Sequence, residues 1–229
     1  LKIRDFSKLF SAILFLHLVV IYQPESEVLY YISKPLLVFS LLAYFIHKTS
    51  HLQLNGKGWV PLALLLSLAG DILLMGDSEN YFLGGMGAFF LAHVFYALFY
   101  LNQKLKANLL HQSGAVLIVA AGMFVLYQYV NTPGNMAPYL YSYGVLLGVH
   151  FLLSTKVLTL KNRQISMVTV GALLFVVSDI LIAFNEFNGY NTYIHLMVML
   201  TYGIAQYAIT IGLIHYLEAY GKPTEHQSI

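Results

Sequence analysis

The chain has 229 residues, 59% of them hydrophobic and only 10% charged, with a mean hydropathy of +0.70. Ordinary soluble domains carry about a quarter charged residues, so a chain this apolar needs the bilayer as its solvent. The net charge of +2 suggests no nucleic-acid partner, and the absence of cysteine excludes disulfides, thiolate nucleophiles and cysteine-held metals.

Lys2, Arg4 and Lys8 stand at the head of an apolar run ending at Tyr22, a pattern that resembles a signal peptide. The residues after it, Gln23-Pro24-Glu25-Ser26-Glu27, offer no small-residue cleavage pattern, so a retained first helix is expected. Spanning helices need about 20 mainly apolar residues. Eight segments qualify: Phe6 to Tyr22, Val28 to Ile46, Trp59 to Met75, Tyr81 to Leu101, Gly114 to Val130, Tyr139 to Leu158, Ser166 to Phe184 and Ile194 to Leu217. Short connections between them predict one all-α transmembrane domain over residues 1–229, with no soluble domain inserted.

Charge placement supports the count. With eight alternating helices, Lys48, Lys57, Lys104, Lys106, Lys156, Lys161, Arg163 and Lys222 join the N-terminal cations on one side. The opposite loops carry Glu25, Glu27, Asp77, Glu79 and Glu186. The excess of Lys and Arg on one side predicts that both termini are cytoplasmic. At an offset of 108 residues, Leu65, Leu66, Asp71, Ile72 and Leu73 map onto Leu173, Leu174, Asp179, Ile180 and Leu181. A parallel 4+4 repeat is therefore expected, with halves near residues 1–110 and 111–229 and a pseudo-two-fold axis along the membrane normal.

Inside the third and seventh segments lie Asp71 and Asp179, and inside the second lies Lys34. Ionisable groups in such segments cost about 2.5 to 3.5 kcal/mol on insertion scales, and by default they face the protein interior and mark a site. Counted along the expected helices, all three lie roughly 6 to 9 Å below the outer edge, which predicts a shared polar chamber under that face. His93 is expected deeper, at about 18 Å, with Tyr96 and Tyr100 on the same helical face. His195, Tyr202, Gln206 and Thr210 form a second stripe at helical spacing, and His17 and His150 read as isolated. Structural roles compete with functional ones. Asp71 and Lys34 could be a packing pair, Lys34 could snorkel outward, and Tyr202 and Gln206 could be interhelical glue. Pro35 reads as a helix bend.

No G-x-S-x-G elbow, no H-E-x-x-H spacing and no phosphate-cradling glycine loop occurs. Gly84-Gly85-Met86-Gly87 reads as close helix packing. What remains is acid–base chemistry by two carboxyl groups that cannot both ionise cheaply at low dielectric.

Several short motifs, in order, resemble the YhhN-like membrane family, which includes the lysoplasmalogenases. They are Lys34-Pro35-Leu36-Leu37, Gly70-Asp71-Ile72-Leu73, the Gly87 to Tyr96 run, Ser178-Asp179-Ile180-Leu181, and Tyr202 to Gln206. The resemblance covers nearly the whole chain. It implies hydrolysis of the vinyl ether bond of lysoplasmalogens, with Asp71 and Asp179 catalytic and no cofactor or metal. Lys34, His93, Tyr96, Tyr202 and Gln206 would bind substrate or support the site. The implied partners are a lysolipid and membrane lipids, with no protein partner inferable, and the expected location is a bacterial inner membrane. A non-enzymatic carrier that uses the same intramembrane acids for a solute, proton or lipid is the competing expectation.

Overall fold

The computed structural model describes residues 1–23 and 27–223, so the expected loop residue Glu25 lies outside the described region. Within it run eight α-helices: α1 (Ile3–Tyr22), α2 (Glu27–Thr49), α3 (Trp59–Leu73), α4 (Glu79–Asn102), α5 (Leu109–Tyr129), α6 (Ala137–Ser154), α7 (Arg163–Phe187) and α8 (Thr192–Tyr220). Short polar residues start four of them. The side chains of Ser78, Asn108, Asn162 and Asn191 accept hydrogen bonds from first-turn N–H groups of α4, α5, α7 and α8, groups that have no partner within their own helix.

Seven helices are long and apolar enough to cross a membrane, α6 being counted with the 3₁₀ turn that extends it. The exception is α3, whose 15 residues reach about 22 Å against a hydrocarbon core of about 30 Å. It stops at Leu73, short of the expected Met75, because Met75 N–H and Gly76 N–H bond to the carbonyls of Ile72 and Leu73 in tight turns. Gly76 lets the ring of Tyr81 close over that turn; a Cβ there would lie 2.5 Å from the ring. In α6, too, the end departs from expectation. The hydroxyls of Ser154 and Thr155 donate to the carbonyls of Phe151 and Leu152, competing with the α-helical pattern, and residues Thr155–Leu160 tighten into the 3₁₀ turn.

The bundle is built around α8, which packs against α1, α2 and α7. Its fit depends on missing side chains. At Gly171 of α7 a Cβ would lie 2.7 Å from the carbonyl oxygen of Ala205, and at Gly212 of α8 it would lie 2.9 Å from the backbone N of Val168. The same device joins α3 to α4, where a Cβ on Gly85 would meet Leu74 at 2.6 Å; of the run read as close packing, Gly84 is only in ordinary contact and Gly87 has open space. By contrast α5 buries only Ala115 and Leu126, while large apolar side chains such as Phe15, Phe39, Leu117 and Val170 point outward. That outward apolar surface is the face an integral membrane protein presents to lipid. At the basic end, Leu52–Gln53 pairs antiparallel with Lys222–Pro223. There Lys57 donates to the carbonyls of Thr49 at 2.8 Å and Leu52 at 2.5 Å, serving the C-terminal end of α2, and partial burial pulls its pKa down.

Candidate functional site

A cavity of about 920 Å³ opens at the bundle end formed by the start of α2, the α3–α4 turn and the α7–α8 turn. Asp71, Asp179 and Lys34 all line it. Lys34 is 4% exposed and Asp71 2%, and the Asp179 side chain is 9% exposed. The ammonium therefore faces the interior and does not reach out to headgroups. Among the described residues no lysine or arginine lies within 4.0 Å of either carboxyl group, so Lys34 shares the cavity with Asp71 and is not its close ion-pair partner.

The observed helix bounds do not give the three residues the equal offsets that the expected helices did. Asp71 is two residues from the end of α3, Asp179 eight from the end of α7, and Lys34 seven from the start of α2. Those separations correspond to about 3, 12 and 10 Å along the axes. All three nonetheless line the one cavity.

Each carboxyl group is held by a tyrosine. Tyr202 of α8 donates its hydroxyl to Asp71 Oδ2 at 2.8 Å, and Tyr143 of α6 donates to Asp179 Oδ2. Behind Tyr202 the chain continues inward. Gln206 Nε2 donates to the Tyr202 oxygen at 3.2 Å, and Tyr96 donates to Gln206 Oε1 at 3.3 Å. Every donor in this row points toward Asp71, as a row ending on an ionised carboxylate requires, since that group only accepts. Phe89 and Phe175 meet the Tyr202 ring edge-on at 5.8 and 5.4 Å and fix its position.

His93 of α4 is fully buried, with Nε2 3.9 Å from Asp179 Oδ2. Its other nitrogen, Nδ1, lies 2.9 Å from His150 Nδ1. The expectation that His150 and His17 are isolated is thus corrected: His150 pairs with His93, and His17 Nδ1 bonds Ser33 Oγ at 2.8 Å. His195 stands apart from the Tyr202–Gln206 row and sits on the cavity wall, 3.4 Å from the Tyr30 hydroxyl.

Tyr143 and His150 were missed as partners of the site, although a signal was present. They are seven residues apart on α6, hence on one helical face, just as His93 and Tyr100 are on α4. Periodicity picks out the His93 face of α4 but not the Tyr143 and His150 face of α6, nor that the two meet.

Around the cavity mouth stand Glu27, Asp77, Glu79 and Glu186, all exposed, with Tyr30, Tyr31 and Tyr190 nearby on the lining. The entrance is acidic and aromatic, and the single ammonium lies below it. Among the described residues no group of three or more His, Asp or Glu side chains is arranged to hold a metal ion.

Fold and site together define an integral, multi-pass helical membrane protein with two carboxyl groups enclosed in one cavity near one end. Within that class the chain belongs to the YhhN family, whose profile matches residues 29–213. The match takes in most of α2 to most of α8 with Lys34, Asp71, His93, Tyr143, Asp179 and Tyr202, and leaves α1 and Glu27 outside. Human lysoplasmalogenase TMEM86A is 27% identical over 169 residues, 72% of this chain and 67% of the human protein. The bovine lysoplasmalogenase TMEM86A is 26% identical over 157 residues, 67% of this chain and 64% of the bovine protein. The matches thus span about two-thirds of each relative's length. No solved structure matches the chain.

Proposed function

We propose that this protein is a lysoplasmalogenase-type hydrolase that cleaves the vinyl ether bond of a lysolipid within the membrane. The observation that carries the reading is the meeting of Asp71 and Asp179 in one largely enclosed cavity, each held by a tyrosine hydroxyl. The family and the relatives' names agree with it.

Vinyl ether hydrolysis begins with protonation of the alkene carbon two atoms from the ether oxygen, which leaves an oxocarbenium ion. Water adds to the cationic carbon and loses a proton. The resulting hemiacetal collapses to a fatty aldehyde and the free glycerol hydroxyl. Such a reaction needs one positioned acid and one nearby anion, as paired carboxyl groups supply in glycosidases. We assign the acid to Asp179, and the ionised partner to Asp71, which accepts from Tyr202 and shares its cavity with Lys34. Asp71 stabilises the cation and orients water, and Asp179 returns to its acid form with the proton released from that water.

Lys34 suits a phosphodiester, and the acidic, aromatic mouth suits an ammonium group above it. A phosphoethanolamine or phosphocholine headgroup meets both, with the chain running between helices into lipid.

We also read α3 as a span despite its length, which gives eight passes in a parallel 4+4 repeat with both termini in the cytoplasm. The helix contacts support two-fold symmetry: α1–α2, α2–α3, α3–α4 and α4–α6 have counterparts in α5–α6, α6–α7, α7–α8 and α8–α2. Lys34 and Tyr143 are 109 residues apart, as are His93 and Tyr202. Each aspartate thus has one companion from the helix before its own and one from the last helix of the other half. On this topology the cavity opens to the outer leaflet.

The test is purified protein in detergent micelles given a lysoplasmalogen, with release of aldehyde measured by mass spectrometry. Aldehyde from the vinyl ether lipid, and no cleavage of the matching acyl lysolipid, is the expected result. No aldehyde, together with Asp71-dependent solute or proton flux in liposomes, would replace this reading with that of a carrier.

A further inference from the structure

Two histidines share a single hydrogen between their Nδ1 atoms, 2.9 Å apart. Neutral imidazole carries one N–H, so only two arrangements exist. In one, His93 donates to His150, and the bare Nε2 of His93 turns its lone pair toward Asp179. In the other, His150 donates, and His93 carries its hydrogen on Nε2, facing Asp179 Oδ2 at 3.9 Å. Neither His150 Nε2 nor His93 Nε2 has a hydrogen-bond partner among the described residues, so hydrogen-bond satisfaction does not discriminate. The carboxyl oxygen does. That oxygen accepts from Tyr143, which leaves the acid hydrogen of Asp179 to Oδ1; a lone pair close to Oδ2 is then repelled, while an N–H close to it is attracted through a low-dielectric interior.

The surroundings keep both rings in this relation. Tyr96 and Tyr100 lie nearly parallel to the His150 ring, at 5.2 Å and 11° and at 5.8 Å and 15°. Phe175 meets the His93 ring edge-on at 4.6 Å. Both histidines are fully buried.

We propose that His150 is a positioning residue that locks His93 in the tautomer with its N–H directed at Asp179. Resting on the hydrolase reading above, this gives the pair a task. When Asp179 yields its proton to the substrate, the new carboxylate accepts from Tyr143 and faces the His93 N–H at 3.9 Å, longer than a hydrogen bond but close enough in a low-dielectric interior to stabilise the charge as it forms. The tautomer itself stands on geometry alone.

The experiment uses the full chain in lipid nanodiscs with ¹⁵N-labelled histidine, the His93 and His150 signals being assigned by their loss in single variants. Nitrogen shifts distinguish protonated from bare ring nitrogens without any substrate. The expected wild-type spectrum has hydrogen on Nε2 of His93 and Nδ1 of His150. In His150→Phe the His93 preference is lost, and aldehyde release falls about 10- to 100-fold, the range known for partners that orient metal-binding histidines. His150→Asn, whose amide N–H occupies the place of Nδ1–H, restores the His93 tautomer and most of the activity. A wild-type His93 protonated on Nδ1 would overturn the proposal. So would a folded His150→Phe protein with unchanged tautomer and rate, or a folded His150→Asn protein that behaves like His150→Phe. A wild-type protein with the expected tautomer that releases no aldehyde would sink the hydrolase reading alone.

Discussion

Replacing Asp179 by Asn separates its chemistry from its structural part. The carboxamide keeps the side chain's shape, and its oxygen still accepts the Tyr143 hydroxyl bond. Only hydrogen-bond quality in the pocket changes, so the stability cost should be on the order of 1 kcal/mol. The transferable proton is gone. General acid catalysis contributes about 10²- to 10⁴-fold, equivalent to about 2.7 to 5.5 kcal/mol of barrier at about 1.4 kcal/mol per tenfold. Tyr143→Phe sets the scale from the other side. It removes one hydrogen bond to an acid, worth about 1.5 to 3 kcal/mol when that acid is charged, and should therefore be slowed less than Asp179→Asn. Aldehyde release from lysoplasmalogen, measured with thermal unfolding of the same samples, gives both quantities. The expected order of rates is wild type, then Tyr143→Phe, then Asp179→Asn, with all three folded. An Asp179→Asn protein that melts like wild type and works within twofold of it would refute the assignment of Asp179 as the acid.

Other consequences follow from particular contacts. Asp71→Asn should also abolish most activity, and adding it to Asp179→Asn should cost little more, because groups acting as a unit are not additive; rates of the single and double variants decide this. Lys34→Met should raise KM for a phosphate-bearing lysolipid about tenfold or more by removing a charge-assisted contact. Its melting temperature should not fall, since a buried ammonium without a close counter-ion is itself costly. Gly171→Ala forces a methyl to within 2.7 Å of the Ala205 carbonyl, where backbone cannot yield cheaply, and should destabilise by about 1 to 3 kcal/mol in a melting assay. Glu79→Gln with Glu186→Gln should weaken the preference for ammonium over uncharged headgroups by about 0.2 to 1 kcal/mol per charge, read as a ratio of kcat/KM. The same preference should fall as salt is raised.

Much of the site was legible before any coordinates. Asp71, Asp179 and Lys34 announce themselves because ions in apolar helices are costly, and all three do line one cavity. Tyr96, Tyr202 and Gln206 were legible as polar stripes, but their order as one row of donors ending on Asp71 was not. His150 looked solitary because its partner lies 57 residues away on another helix. Tyr143 was hidden among the chain's 18 tyrosines, where residue type carries little information. The short α3 was missed because Leu74 and Met75 are as apolar as the helix before them, and composition is blind to the turn that ends it.

By itself the sequence determined the solvent, the helices and the costly residues: apolar runs of spanning length, short polar side chains able to cap helix starts, and acids where hydrocarbon penalises them. These are local properties, written in composition and in a period of about 3.6 residues. Tertiary structure alone decided which face of α4 meets α6, which tyrosine holds which aspartate, and that Lys34, Asp71 and Asp179 line one cavity. Those relations depend on how each helix is rotated and shifted against its neighbours. Glycine contacts and side-chain shape across the interfaces set that arrangement, and no single segment records it.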